Sequence, residues 1–143
     1  MLYLRNPSGY LFRGGCALIL SLFTYIAFTA APVHAQGSCD ATVSNETDLN
    51  AAIACINAAG GGPHQLTLTG NIPLTASTTP ISNPAGLLVI VEGNNFAIDG
   101  QATLGIRVME VGSFANVQLH NLTIRGGNIL GGGGGLYVHT NAS

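Results

Sequence analysis

The sequence predicts an all-β fold of repeating, stacked strands, led by a single α-helix. Three observations carry that prediction. One amphipathic stretch near the start of the mature chain has helical periodicity, and the chain beyond it is a series of short runs that alternate apolar and polar residues. Each run ends in Gly or Asn, the residues that most readily take left-handed turn conformations. Similar residues also recur about 20 positions apart, the pattern of a solenoid.

The N-terminus reads as a targeting segment. Residues 1–15 carry Arg5 and Arg13 and no acid, "CALILSLFTYIAFTAA" (16–31) is apolar and uncharged, and Pro32 and "VHA" (33–35) come next. A basic head, an apolar middle and a small-residue exit describe a secretory signal peptide over 1–35, cut after Ala35. About 16 apolar residues fall short of the roughly 20 that a membrane span needs, and the basic flank argues against a core helix. Cleavage removes Arg5, Arg13 and Cys16 and leaves two arginines against six acids, a net charge of −4. Cys39 and Cys55 then remain as an even pair in an oxidising compartment, either disulfide-bonded or as two buried thiols.

Residues 36–64 hold an N-terminal strand and a helix. In "SNETDLNAAIACINAAGGGP" (44–63), Asn45 is a suitable N-cap, and Glu46 and Asp48 put negative charge in the first turn. Leu49, Ala52, Ile53 and Ile56 form one apolar face, and Gly60, Gly61, Gly62 and Pro63 end the helix. A helix this short is not stable alone and must lie on an apolar surface.

From residue 65 onward the runs are "QLTLTGNIPLT" (65–75), "LLVIVEG" (87–93), "FAIDG" (96–100), "IRVMEVG" (106–112), "VQLHN" (117–121), "LTIRGG" (122–127) and "GLYVHT" (135–140). Phe96-x-Ile98 recurs as Val117-x-Leu119, and Asn95 and Asn116 share that offset. A β-sandwich also gives short strands at regular spacing, but the runs lack dominant Asn-Gly or Asp-Gly hairpin turns. Recurrence of like residues favours stacking of like on like.

Composition narrows the function. The chain has no Lys, and only 7% of its residues are charged, so it offers no basic patch to neutralise phosphates and nucleic acid is excluded as a partner. "GQATLG" (100–105) has the glycine spacing of a phosphate-binding loop, but Ile106 and Arg107 stand where Lys and Ser/Thr are needed. A calcium-binding glycine nonapeptide starting at Gly131 needs Asp where Leu136 stands. No cofactor or metal is expected. "NET" (45–47), "NLT" (121–123) and "NAS" (141–143) fit the N-glycosylation pattern.

Taken in order, "LNAAIACINAAGGG", "LTLTGNIPLT", "GNNFAIDGQ", "VQLHNLTIRGG" and "GGGGGLYV" resemble the start of a bacterial right-handed parallel β-helix. The chain is similar in this to pectin-lyase-like, autotransporter-passenger and polymorphic outer-membrane proteins over roughly residues 40–143. The resemblance implies a helix that caps the open first coil, with 65–143 forming the first coils. It implies Phe96 stacked over Val117 and Ile98 over Leu119, one coil apart at about 4.8 Å, and Asn95 over Asn116 as a turn ladder. It also implies that "GGGGGLYVHTNAS" (131–143) opens a further coil, so that the chain is the N-terminal part of a longer protein. The alternative is a short chain that self-associates through its uncapped C-terminal coil. Sequons in a bacterial chain would usually stay unmodified.

Acid–base catalysis needs two carboxylates converging on one bond. At a period of about 20, Glu92 and Glu110 fall at similar points of adjacent coils, with Asp99 as a third candidate, although solvated surface acids are the favoured reading. His120 is expected to point outward, and Arg107 and Arg125 are expected at outward-facing strand ends. No catalytic residue is assigned. The expected function is a non-catalytic, exported adhesin-type protein, handled by the secretion machinery and placed outside the cell or on its outer membrane. Its partner would be a carbohydrate or protein of a host or cell surface. The alternative is the head of a secreted polysaccharide lyase or glycoside hydrolase whose catalytic coils lie further on.

Overall fold

A computed structural model describes residues 39–143. The expected signal peptide 1–35, with Cys16, and the first residues of the 36–64 segment lie outside the described residues. Within them the chain forms one helix and nine short strands. These are β1 (Ala41–Val43), α1 (Glu46–Ala58), β2 (His64–Leu68), β3 (Ile72–Pro73), β4 (Leu88–Glu92), β5 (Ala97–Asp99), β6 (Met109–Val111), β7 (Asn116–His120), β8 (Thr123–Arg125) and β9 (Leu136–Val138). The run at 65–75 divides into β2 and β3, and each later run contributes one strand.

The helix forms where its local signals put it. The Asn45 side chain accepts a hydrogen bond from the Asp48 N–H at 2.9 Å, satisfying one of the free donors of the first turn. Leu49, Ala52, Ile53 and Ile56 are buried, and they join the core formed by the first strands. The helix stops at Ala58, because Ala59 is extended and its N–H bonds back to the Ile56 carbonyl. The glycines then lead to a cis Gly62–Pro63 peptide at the start of β2. A disulfide joins Cys39 to Cys55, with Cα atoms 5.8 Å apart, and so ties the segment before β1 to the last turns of α1. Glu46 adds a second tie, accepting from the Thr75 N–H at 2.9 Å, the Thr75 hydroxyl at 2.7 Å and the Ala76 N–H at 3.0 Å.

The strands form three sheets, and every strand pair is parallel. Sheet A has the order β1-β2-β4-β7, sheet B β3-β5-β8 and sheet C β6-β9. Ile81 also bridges Val111 in parallel, on the open side of β6. From β2 onward the chain therefore visits A, B and C in turn, in three successive circuits that span 64–81, 88–111 and 116–138. All-parallel pairing rules out the hairpins of an antiparallel sandwich.

The registers correct the repeat length. In sheet A, Leu66 pairs with Val91 and Val91 with Leu119. In sheet B, Ile72 pairs with Ile98 and Ile98 with Ile124, and in sheet C, Met109 pairs with Leu136. The repeat is thus close to 26 residues, the same separation that the Asn94–Leu68 and Asn128–Ala102 hydrogen bonds bridge, and not about 20. Ile98 stacks between Ile72 and Ile124, not over Leu119. Val117 lies beside Val89, not Phe96. The shorter offset between Phe96-x-Ile98 and Val117-x-Leu119 joined a strand of sheet B to a strand of sheet A. Strands of different sheets share the same apolar–polar alternation in sequence, so short-range similarity cannot tell one sheet from another.

The core runs along these columns. Leu66, Leu68, Ile72, Ile81, Val89, Val91 and Ile98 have no exposed surface. Coverage thins in the third circuit, where Leu119 and Ile124 are half-buried and Leu136 and Val138 are exposed. Among the described residues no helix is long and apolar enough to cross a membrane.

Candidate functional site

Alternation puts the acids of the second circuit on the outside. In β4, Val89 and Val91 point inward, so Glu92 points out, and Asp99 and Glu110 take the outward positions of β5 and β6. Glu92 and Glu110 therefore belong to different sheets, A and C. The expected juxtaposition of the two on one face does not occur, because it depended on the shorter repeat.

Each acid instead meets a basic side chain of the third circuit. Glu92 pairs in register with His120, with 3.9 Å between Oε2 and Nδ1. Asp99 pairs in register with Arg125, Oδ2 to Nε 2.8 Å. Glu110 Oε1 lies 2.7 Å from His139 Nε2, and its Oε2 accepts from Arg107 Nη1. Arg107 lies over the Tyr137 ring, 4.3 Å from the centroid, and His139 meets the same ring edge-on at 4.9 Å. His120 and Arg125 do face outward, as expected, and both are engaged. Arg107, expected at an outward-facing strand end, lies just before β6 and is half-buried.

The surroundings hold all three carboxylates ionised. Hydrogen bonding to His139, then to Arg107 with its positive charge, keeps Glu110 below the usual glutamate range. The Asn121 side chain and the Asn94 N–H do the same for Glu92, with His120 contributing less. The Gln101 N–H leads in lowering Asp99, followed by Arg125. For Glu46, partial burial opposes ionisation, but the hydrogen bonds from Thr75 and Ala76 outweigh it.

The corners between strands are bound by amides. Asn94 Nδ2 donates to the Leu68 carbonyl at 2.9 Å, Gln101 Nε2 to Leu74 at 3.0 Å, and Asn128 Nδ2 to Ala102 at 3.0 Å. Asn71 Oδ1 accepts from the Ala97 N–H at 2.8 Å. Each bond spans 26 or 27 residues, one circuit. The expected Asn95–Asn116 ladder is replaced by these contacts. Asn95 sits at a left-handed corner, where its N–H donates to the Asn121 carbonyl, while Asn116 opens β7 opposite Leu88.

Chemically, this arrangement ties neighbouring strands to each other through their outward side chains. Both oxygens of Glu110 are engaged, Oε1 with His139 and Oε2 with Arg107. Opposite charges facing each other across paired strands, as Asp99 and Arg125 do, stabilise that pairing and disfavour a slip. Among the described residues no group of three or more His, Cys, Asp or Glu side chains could hold a metal ion.

Alternation alone does not single out His139 or Tyr137. The signal that finds His139 is a basic residue one repeat after each acid. Arg125 lies 26 residues after Asp99 and His139 lies 29 residues after Glu110, and His120 follows Glu92 at a similar distance. That pattern becomes visible only once the longer repeat is known. No family model matches the chain, and no curated protein and no solved structure matches it either.

Proposed function

We propose that this chain is an exported, non-catalytic surface protein of the adhesin type, its strands stacked as a right-handed parallel β-helix with α1 capping the first coil. The observation that carries this reading is the cyclic return of the chain through three parallel sheets, one full circuit at a time. Such a path makes a rod whose outer faces are regular and whose length grows with each repeat. The engagement of Glu92, Asp99 and Glu110 with basic partners supports a scaffold over a catalyst. The Cys39–Cys55 bond fits an oxidising compartment outside the cytosol. The partner is a carbohydrate or protein on a host or cell surface, and no cofactor is involved.

Two measurements test the proposal together. Expression of the whole chain in a bacterial host, with N-terminal sequencing of the exported product, should give a protein beginning at Gln36. Retention of the uncut chain in the cytoplasm would sink the export reading. The purified product should then bind immobilised cell-surface glycans or proteins without releasing reducing ends or unsaturated products from polyuronates. Turnover of such a polymer would replace the adhesin reading with the enzyme reading.

A further inference from the structure

Among the described residues, the contacts between acids and basic side chains of the next circuit are not spread evenly, and the two made with histidine are ionic only when the imidazole is protonated. All three acids of the second circuit face the third: Glu92 faces His120 in sheet A, Asp99 faces Arg125 in sheet B, and Glu110 faces His139 at the edge of sheet C. There is one such pair per sheet. On the other side, toward the first circuit, the register neighbours of Glu92 and Asp99 are Thr67 and Pro73, and Pro80 precedes the Ile81 that bridges Val111. None of these can ionise. The remaining groups around the acids are Arg107 and the Tyr137 ring beside Glu110, and the Asn121 amide beside Glu92.

Apolar contact shows the opposite gradient. The first and second circuits share columns with no exposed surface, such as Leu66 with Val91 and Ile72 with Ile98. The third circuit brings half-buried Val117, Leu119 and Ile124, and its Leu136 and Val138 are 40% and 49% exposed. Where burial is weak, segments open locally before the whole molecule unfolds. There the outward side-chain contacts also join the two circuits.

We propose that the Asp99–Arg125 ion pair and the carboxylate–imidazole contacts Glu92–His120 and Glu110–His139 act together as a latch that holds the third circuit on the second. The third circuit then opens as a unit, ahead of the rest of the molecule, when the carboxylates are neutralised or screened. Opening bares the edges of β4, β5 and β6, which otherwise pair with β7, β8 and β9. Those edges would then be free to accept another parallel strand. This inference stands on the pair geometry and does not depend on what the outer surface binds.

Backbone hydrogen exchange at neutral pH, resolved along the purified chain by mass spectrometry, tests the latch. The variant Glu92→Gln/Asp99→Asn/Glu110→Gln removes the charges and keeps the shape, with one acceptor oxygen of each group replaced by an amide donor. An exposed ion pair shifts an equilibrium by up to about fivefold, so losing the three contacts together should speed exchange of 116–125 and 136–138 severalfold, roughly three- to tenfold. Exchange of β2 and the buried face of α1 should not change. Equal acceleration everywhere, or none, overturns the latch. Should the triple variant fail to fold, the unaltered chain in 1 M salt, where screening acts within about 3 Å, gives the same decision: selective loss of protection in the third circuit supports the latch, and unchanged or uniform protection overturns it.

Discussion

Ile98 has no exposed surface and lies in register between Ile72 and Ile124. An Asp at this position would put an unpaired carboxylate into the centre of the column, and nothing there could pair with it. Ile98→Asp should therefore abolish the cooperative thermal transition followed by far-UV circular dichroism. Leu119→Asp, at a half-buried position of the third circuit, should lower the midpoint but leave a transition. Equal behaviour of the two would contradict the gradient of burial. Gly93 carries a different constraint, since a methyl group there would meet the Asn121 carbonyl and the Leu122 Cα across the circuits. Gly93→Ala should destabilise by about 1–3 kcal/mol, read as a drop in the denaturant midpoint. At this scale the sequence was most legible where the cause is local. Asn45 as a cap and the Leu49, Ala52, Ile53, Ile56 face depend only on near neighbours and helical geometry. His139, the partner of Glu110, is 29 residues away and depends on register, which no local pattern encodes.

Between residues and the whole molecule, α1 is tied to the rest of the described chain in three ways. The disulfide closes a span of 16 residues, Glu46 reaches the chain after β3, and the buried face of α1 joins the core. A cross-link over a loop of that length stabilises by about 3 kcal/mol, largely by restricting the unfolded chain. Replacing Cys39 and Cys55 together by Ser should remove a comparable amount in equilibrium urea unfolding. A change within error would mean that the packed helix and the Glu46 contacts suffice. The strands as elements were readable from alternation, because an inward Val or Leu and an outward polar residue obey the same period in any sheet. Their assignment to sheets was not readable for the same reason: identical alternation in A, B and C made the offset from Phe96 to Val117 look like one repeat. The true spacing includes corners of unequal length, such as the glycine-rich stretch between β8 and β9, and those blur any sequence periodicity.

Over the whole molecule, Glu46, Glu92, Asp99 and Glu110 all ionise more readily in the fold than free carboxylates do. The sign of the pH dependence follows. A carboxylate whose folded value is depressed stabilises the fold above the ordinary carboxylate range, and that stabilisation is lost as the pH falls through the folded value. Ordinary Asp and Glu titrate near 4, so the thermal midpoint should fall as the pH drops below about 5 and should keep falling through the depressed values. Thermal melts of the unaltered chain between pH 7 and pH 3 measure this directly. The chain in which Glu92, Asp99 and Glu110 are replaced by their amides should start with a lower midpoint at pH 7 and lose less of it on acidification, with Glu46 accounting for part of what remains. A midpoint that holds steady or rises down to pH 3 in the unaltered chain would mean that the acids contribute nothing to holding the circuits together. The stack would then rest on its apolar columns alone.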